Sequence, residues 1–184
     1  MNKSLRHLFI CNGIFVFASS ILGPLYALFV EKIAPGIFPV SLSWAIFMIS
    51  GTIFTYLTSK IHDDVIKKEY MLMLSYLVRS ATWFMFIFTH SLAMLIILQI
   101  ILCLGEALGN PAFDSIFAEH LDKNKHIHEY SVWKIVEKFA AAGATLLGGI
   151  IVNSFGFSTL FLLMSSLALA STVDILINPK RLEK

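Results

Sequence analysis

Along the chain, stretches of about twenty mostly apolar residues recur six times, parted by shorter polar segments. A helix needs about 20 such residues to cross the hydrocarbon core, because each residue rises ~1.5 Å and a backbone away from water must satisfy its own hydrogen bonds. Segments 8–30, 40–59, 70–88, 92–110, 131–152 and 155–173 meet that requirement, and the third and fourth each carry one charge, Arg79 and Glu106. The fifth has Lys134, Glu137 and Lys138 in its first turns, which predicts a helix that begins outside the bilayer. Segments 8–89 and 92–173 are of equal length and hold three helices each, a pattern expected of an internal three-plus-three repeat. The chain therefore reads as one all-α integral membrane domain over residues 1–184, with six transmembrane helices.

Segment 111–130 is polar enough to form a linker between the fourth and fifth spans. Within it Phe113, Ile116, Phe117 and Leu121 recur at helical spacing, with Asp114, Ser115 and Glu119 between them. That pattern predicts a short amphipathic helix lying on the inner membrane face.

Composition agrees with a chain whose main solvent is lipid: 14% of residues are charged and 57% are apolar, against roughly a quarter charged in soluble proteins. The net charge of +2 is too small and scattered for a nucleic-acid surface. The basic residues mark topology instead. Lys32 alone falls in the short connections 31–39, 89–91 and 153–154, whereas Lys3, Arg6, Lys60, Lys67, Lys68, Lys123, Lys125, Lys134, Lys138, Lys180, Arg181 and Lys184 fall on the other side. This positive-inside bias places both termini in the cytoplasm, gives every copy one orientation and fits a multi-pass protein of the cell membrane. Residues 1–7 are basic and lead into an apolar run, as in a signal peptide. The run is too long and lacks a small-residue cleavage site, so an uncleaved first span is expected.

Candidate chemistry is sparse. Cys11 and Cys103 sit in apolar stretches and read as small buried hydrophobes. His120, His126 and His128 lack the cysteine or carboxylate spacing of a metal site and read as part of a solvated loop. With no Gly-x-Ser-x-Gly elbow, His-Glu-x-x-His helix or phosphate-binding glycine loop, an enzyme is not expected, and neither a cofactor nor a metal is called for. No filter-like carbonyl loop or ring of acids points to a channel.

Three places carry a resemblance. Leu22, Gly23, Pro24, Leu25 and Tyr26 form a glycine and proline pattern near the outer end of span one. Segment 59–68 (SKIHDDVIKK) has Asp63 followed by the basic pair Lys67 and Lys68, with Ser59 and Ile66 where glycines are usual and Asp64 where a basic residue is usual. Span four ends with Gly105, Asn110, Pro111 and Ala112, and has Gln99 where an Arg is common. With these motifs the whole chain resembles one six-helix half of a major facilitator superfamily transporter. Span five adds Gly143, Gly148 and Gly149, similar to the small-residue face of that family's fifth helix but without its proline.

The resemblance implies a secondary transporter that moves a small molecule by alternating access between two such halves, with Asp63, Lys67 and Lys68 in an inner gating loop. A parallel homodimer in the bilayer is the simplest way to supply the second half. The alternatives are a heterodimer with another half-sized chain, or a membrane scaffold without transport. The face with Ala140, Gly143, Ala144, Gly148 and Gly149 suits either a subunit interface or close packing inside the six helices.

Arg79 lies about nine residues into an outward-running helix and Glu106 about four to six from the inner end of an inward-running one, so their depths differ by only a few ångströms. The pair therefore predicts a salt bridge between spans three and four. In the functional reading Glu106 is the protonatable or cation-facing group, with proton coupling, and Arg79 tunes it; in the other, the two form a static tie. Asn12, Ser19 and Tyr26 are seven apart and share a face of span one. In that family the span lines the cavity, which makes these residues candidates for substrate or coupling-ion contact, or for helix-to-helix hydrogen bonds.

Overall fold

The computed structural model describes residues 3–60 and 66–177 and is all helical among them. Its elements are α1 (Lys3–Ser20), α2 (Leu25–Ile33), α3 (Ile37–Thr58), α4 (Lys68–Phe86), α5 (Leu92–His120) and α6 (His126–Ile177). By length and composition α3, α5 and α6 can cross a membrane, and the bent pair α1 and α2 can as one broken span.

Three boundaries differ from the expected spans, each for a local reason. The run 8–30 is two helices, not one, meeting at 45° across residues 21–24. Pro24 has no N–H to continue the ladder and sits just before α2 with φ −66°. Segment 111–130 is not simply a linker, because α5 runs on through Pro111 to His120. Its apolar stripe turns inward: Phe113, Ile116 and Phe117 are buried. The Phe117 ring meets Phe9 at 5.5 Å and Tyr130 at 4.6 Å, and Phe113 meets Trp133 at 5.1 Å. That packing against α1 and α6 offsets the hydrogen bond Pro111 cannot make, and it replaces the surface-lying helix. Finally, the turn expected at Asn153 and Ser154 falls at Gly156, whose φ of 81° and ψ of 176° part α6 into legs 126–155 and 157–177.

Helix α4 packs against both α5 and α6, α1 lies along α6, and α3 leans on α5. Trp83, Tyr76, Phe86, Phe117 and Phe161 are the largest fully buried side chains. In lipid such helices gain nothing from leaving water, so close packing and short polar stitches hold them. Ser80 donates to the Ser165 carbonyl at 2.8 Å, Thr58 to that of Ala107 at 3.2 Å, and Ser171 to that of Cys11 at 3.2 Å. His7 Nε2 lies 3.0 Å from Asp174 Oδ2, tying α1 to the last leg. Cys11 and Cys103 are buried free thiols. On α3, by contrast, Trp44, Met48, Ile49, Ile53, Tyr56 and Leu57 all stand exposed. A face that apolar needs hydrocarbon or another protein surface against it.

Candidate ligand cavity

The site begins with two missing side chains. Gly105 and Gly109 are four apart on α5, on the face turned to α4. A Cβ at Gly105 would lie 2.7 Å from Arg79 Cγ, and one at Gly109 would lie 2.1 Å from Ser75 Oγ. The two glycines thus let α4 close onto α5 and lay the Arg79 stem across Gly105. At its far end the guanidinium carbon sits 4.4 Å from the Phe15 ring centroid and 5.6 Å from that of Trp83. Its Nε is buried without a hydrogen-bond partner.

Glu106 follows Gly105 on the same helix, and its Oε1 accepts from Asn110 Nδ2 at 3.3 Å. Among the described residues Arg79 and Glu106 form no ion pair, since the ion pairs found there within 4.0 Å are His7 with Asp174, Lys68 with Glu119 and Lys134 with Glu137. The expected salt bridge is therefore absent. Instead both charges border the same two cavities. One, of about 270 Å³, is also lined by Asn12, Phe15, Ser19 and Ser75. The other, of about 330 Å³, is lined by Ser19, Tyr26, Trp44, Trp83 and Gln99. A third, of about 420 Å³, reaches Glu106 from the α3 side past Thr52 and Cys103.

The five residues expected to contact substrate or ion thus line two cavities that share Ser19, Arg79 and Glu106, with Asn12 on the first and Tyr26 on the second. The bend after Ser20 takes Tyr26 off the α1 axis, yet Ser19 and Tyr26 still border one cavity. Four of the five have protein partners: besides Glu106 with Asn110, Asn12 Oδ1 accepts from the Tyr76 hydroxyl, Ser19 donates to the Val16 carbonyl at 3.0 Å, and Tyr26 donates to Ser43 Oγ at 2.8 Å. Polar atoms without one are Arg79 Nε, Ser75 Oγ and Gln99 Oε1. Ser75, Gln99 and Gly109 were not among the expected site residues. A lone amide in an apolar run and the Gly-x-x-x-Gly spacing of 105 and 109 are the signals that mark two of them.

The other expected groups fare differently. Gly148 is used inside the chain and not at an interface, because a Cβ there would meet the Ile21 carbonyl oxygen at 2.3 Å. Gly149 has nothing within 4 Å and Gly143 only Phe17 at 4.0 Å, so these two leave open surface. Asp63 lies outside the described residues. Lys67 precedes the first turn of α4, and Lys68 pairs with Glu119 on α5, joining the start of one helix to the end of the next. His120 is buried with Nδ1 2.8 Å from the Ile116 carbonyl, while His126 and His128 are exposed. Among the described residues no three His, Cys, Asp or Glu side chains gather as a metal-holding group.

A broken first helix, apolar outer faces and two charges bordering shared cavities fit a helical membrane protein. The Major Facilitator Superfamily family model matches residues 8–182, and the chain belongs to that family of membrane transporters. The in meso crystal structure of the POT family transporter PepTSo is similar in fold, with a TM-score of 0.82 at 17% identity. The match covers 98% of this chain and 38% of that one, so the chain spans well under half the length of that transporter. No curated protein matches the sequence.

Proposed function

We propose that the chain is one six-span unit of a secondary active transporter, paired with a parallel second copy, and that a small molecule passes between the two by alternating access. The observation that carries this reading is the pair Arg79 and Glu106, which border the same two cavities without forming an ion pair within 4.0 Å. An ionisable group at membrane depth costs about 2.5–3.5 kcal/mol on insertion scales. A scaffold that needed only packing would pair such groups or do without them. A second unit is supported by the exposed apolar face of α3 and by the open surface beside Gly143 and Gly149. A different half-sized chain in that place is the second reading.

In this scheme the six spans form two sets of three in the cell membrane, with both termini cytoplasmic. Asp63, Lys67 and Lys68 belong to the inner gate, a role supported by the tie from Lys68 to Glu119. Glu106 is the protonatable group. The ionisable side chains that share its cavities are Arg79 and Tyr76 on α4, Glu137 on α6, Tyr26 on α2 and Cys103 on its own helix.

Native mass spectrometry from lipid nanodiscs, on protein made in a host without a related half-sized chain, tests the assembly. A dimer is expected, and Glu106→Gln should keep that dimer and its melting temperature while losing accumulation driven by a pH gradient. A strict monomer sinks the homodimer, and a Glu106→Gln protein that melts early yet still transports assigns Glu106 to stability.

A further inference from the structure

The structure assigns Arg79 a more definite task than tuning Glu106: we propose that it anchors the carboxylate of a small ligand whose apolar body fills the aromatic cavity beside it. Three independent features support this. First, the guanidinium carbon lies within cation–π reach of two aromatic rings, 4.4 Å from the Phe15 centroid and 5.6 Å from that of Trp83. A cation–π contact uses the charge without using the N–H donors, which keep the capacity to bond an acceptor. Second, Arg79 Nε is buried without any partner, and no carboxylate among the described residues comes within the 4.0 Å of an ion pair. A guanidinium that borders two cavities and has no acidic partner favours a ligand that supplies the acceptor. A carboxylate matches best, since its two oxygens meet two parallel N–H groups.

Third, the adjoining cavity of about 330 Å³ takes its walls from Tyr26, Trp44, Phe47, Trp83 and Leu102. That is the lower end of the size range of small-molecule sites and suits a compact aryl or alkyl group. Glu106 borders the same cavity. When ionised it repels a carboxylate from its own wall and leaves the Arg79 side as the place for one. Gly105 fixes the geometry, because the Arg79 stem occupies the space of its absent side chain.

The proposal deepens the transporter reading, but its test measures binding and needs no transport. Purified full-length protein in nanodiscs is titrated calorimetrically with 3-phenylpropionate, its neutral amide and 3-phenylpropylamine. The acid is expected to bind at least about tenfold more tightly than the amide, and the amine least. Arg79→Lys, which keeps the charge but not the flat fork, should weaken the acid about tenfold, and Arg79→Gln should erase the difference between acid and amide. Equal binding of acid and amide by the wild-type chain overturns the anchor, and so does preference for the amine or no binding of the acid; the wild-type comparison stands even if a variant fails to fold. A dimer that binds acid and amide alike keeps the transporter reading and loses the anchor. A strict monomer that prefers the acid keeps the anchor and loses the homodimer.

Discussion

Gly109 and Ser75 touch so closely that one added carbon has nowhere to go. A Cβ on Gly109 would sit 2.1 Å from Ser75 Oγ and 2.8 Å from its Cβ, so Gly109→Ala must push α4 away from α5. Overpacking of this kind costs about 1–3 kcal/mol. The expected outcome is a lower melting temperature in nanodiscs, with partial recovery in the double variant Gly109→Ala with Ser75→Gly; an unchanged melt for the single variant would show that the helices are not this close. At this scale legibility was uneven. Arg79 and Glu106 stand out in the sequence because a charge inside an apolar run is expensive wherever it faces. Their failure to pair was not legible, because a similar depth says nothing about the rotation of each helix about its axis. Tyr26 shows the same gap: its position marks a face, but only the approach of α3 gives its hydroxyl Ser43 as a partner.

Helix boundaries follow backbone chemistry where a residue has few choices. Pro24 stops a hydrogen-bond ladder in any context, which explains the break between α1 and α2. Gly156, at φ 81° and ψ 176°, occupies a region that side-chain-bearing residues avoid at a cost of about 1–3 kcal/mol. Because nothing lies within 4 Å of a Cβ built there, Gly156→Ala should destabilise through the backbone alone. Gly13→Ala, helical and with only Val136 Cγ1 at 3.9 Å from its added Cβ, should leave the melt unchanged or raise it. If both variants melt alike, the turn does not depend on Gly156. Pro111 teaches the opposite lesson. In the sequence it marks the end of span four, yet α5 passes through it, because burying Phe113, Ile116 and Phe117 against α1 and α6 outweighs one lost hydrogen bond.

For the whole molecule, charge asymmetry predicts one orientation in the membrane. A membrane-impermeant maleimide applied to intact cells should label His90→Cys at once and Lys123→Cys only after permeabilisation, since the native thiols Cys11 and Cys103 are buried. Labelling of both from outside would overturn the shared orientation. The sequence alone determined that the chain is helical and made for lipid, because the length and apolarity of a run and the occurrence of proline are local properties that survive any packing. It also singled out the two charges at depth. Only the tertiary structure decided which glycine is spent inside the bundle, which polar atoms find partners and that Arg79 and Glu106 face shared hollows unpaired. Those outcomes depend on how helices rotate and approach one another, and residues as far apart as Phe15, Arg79 and Glu106 enter one site only when three helices have settled that together.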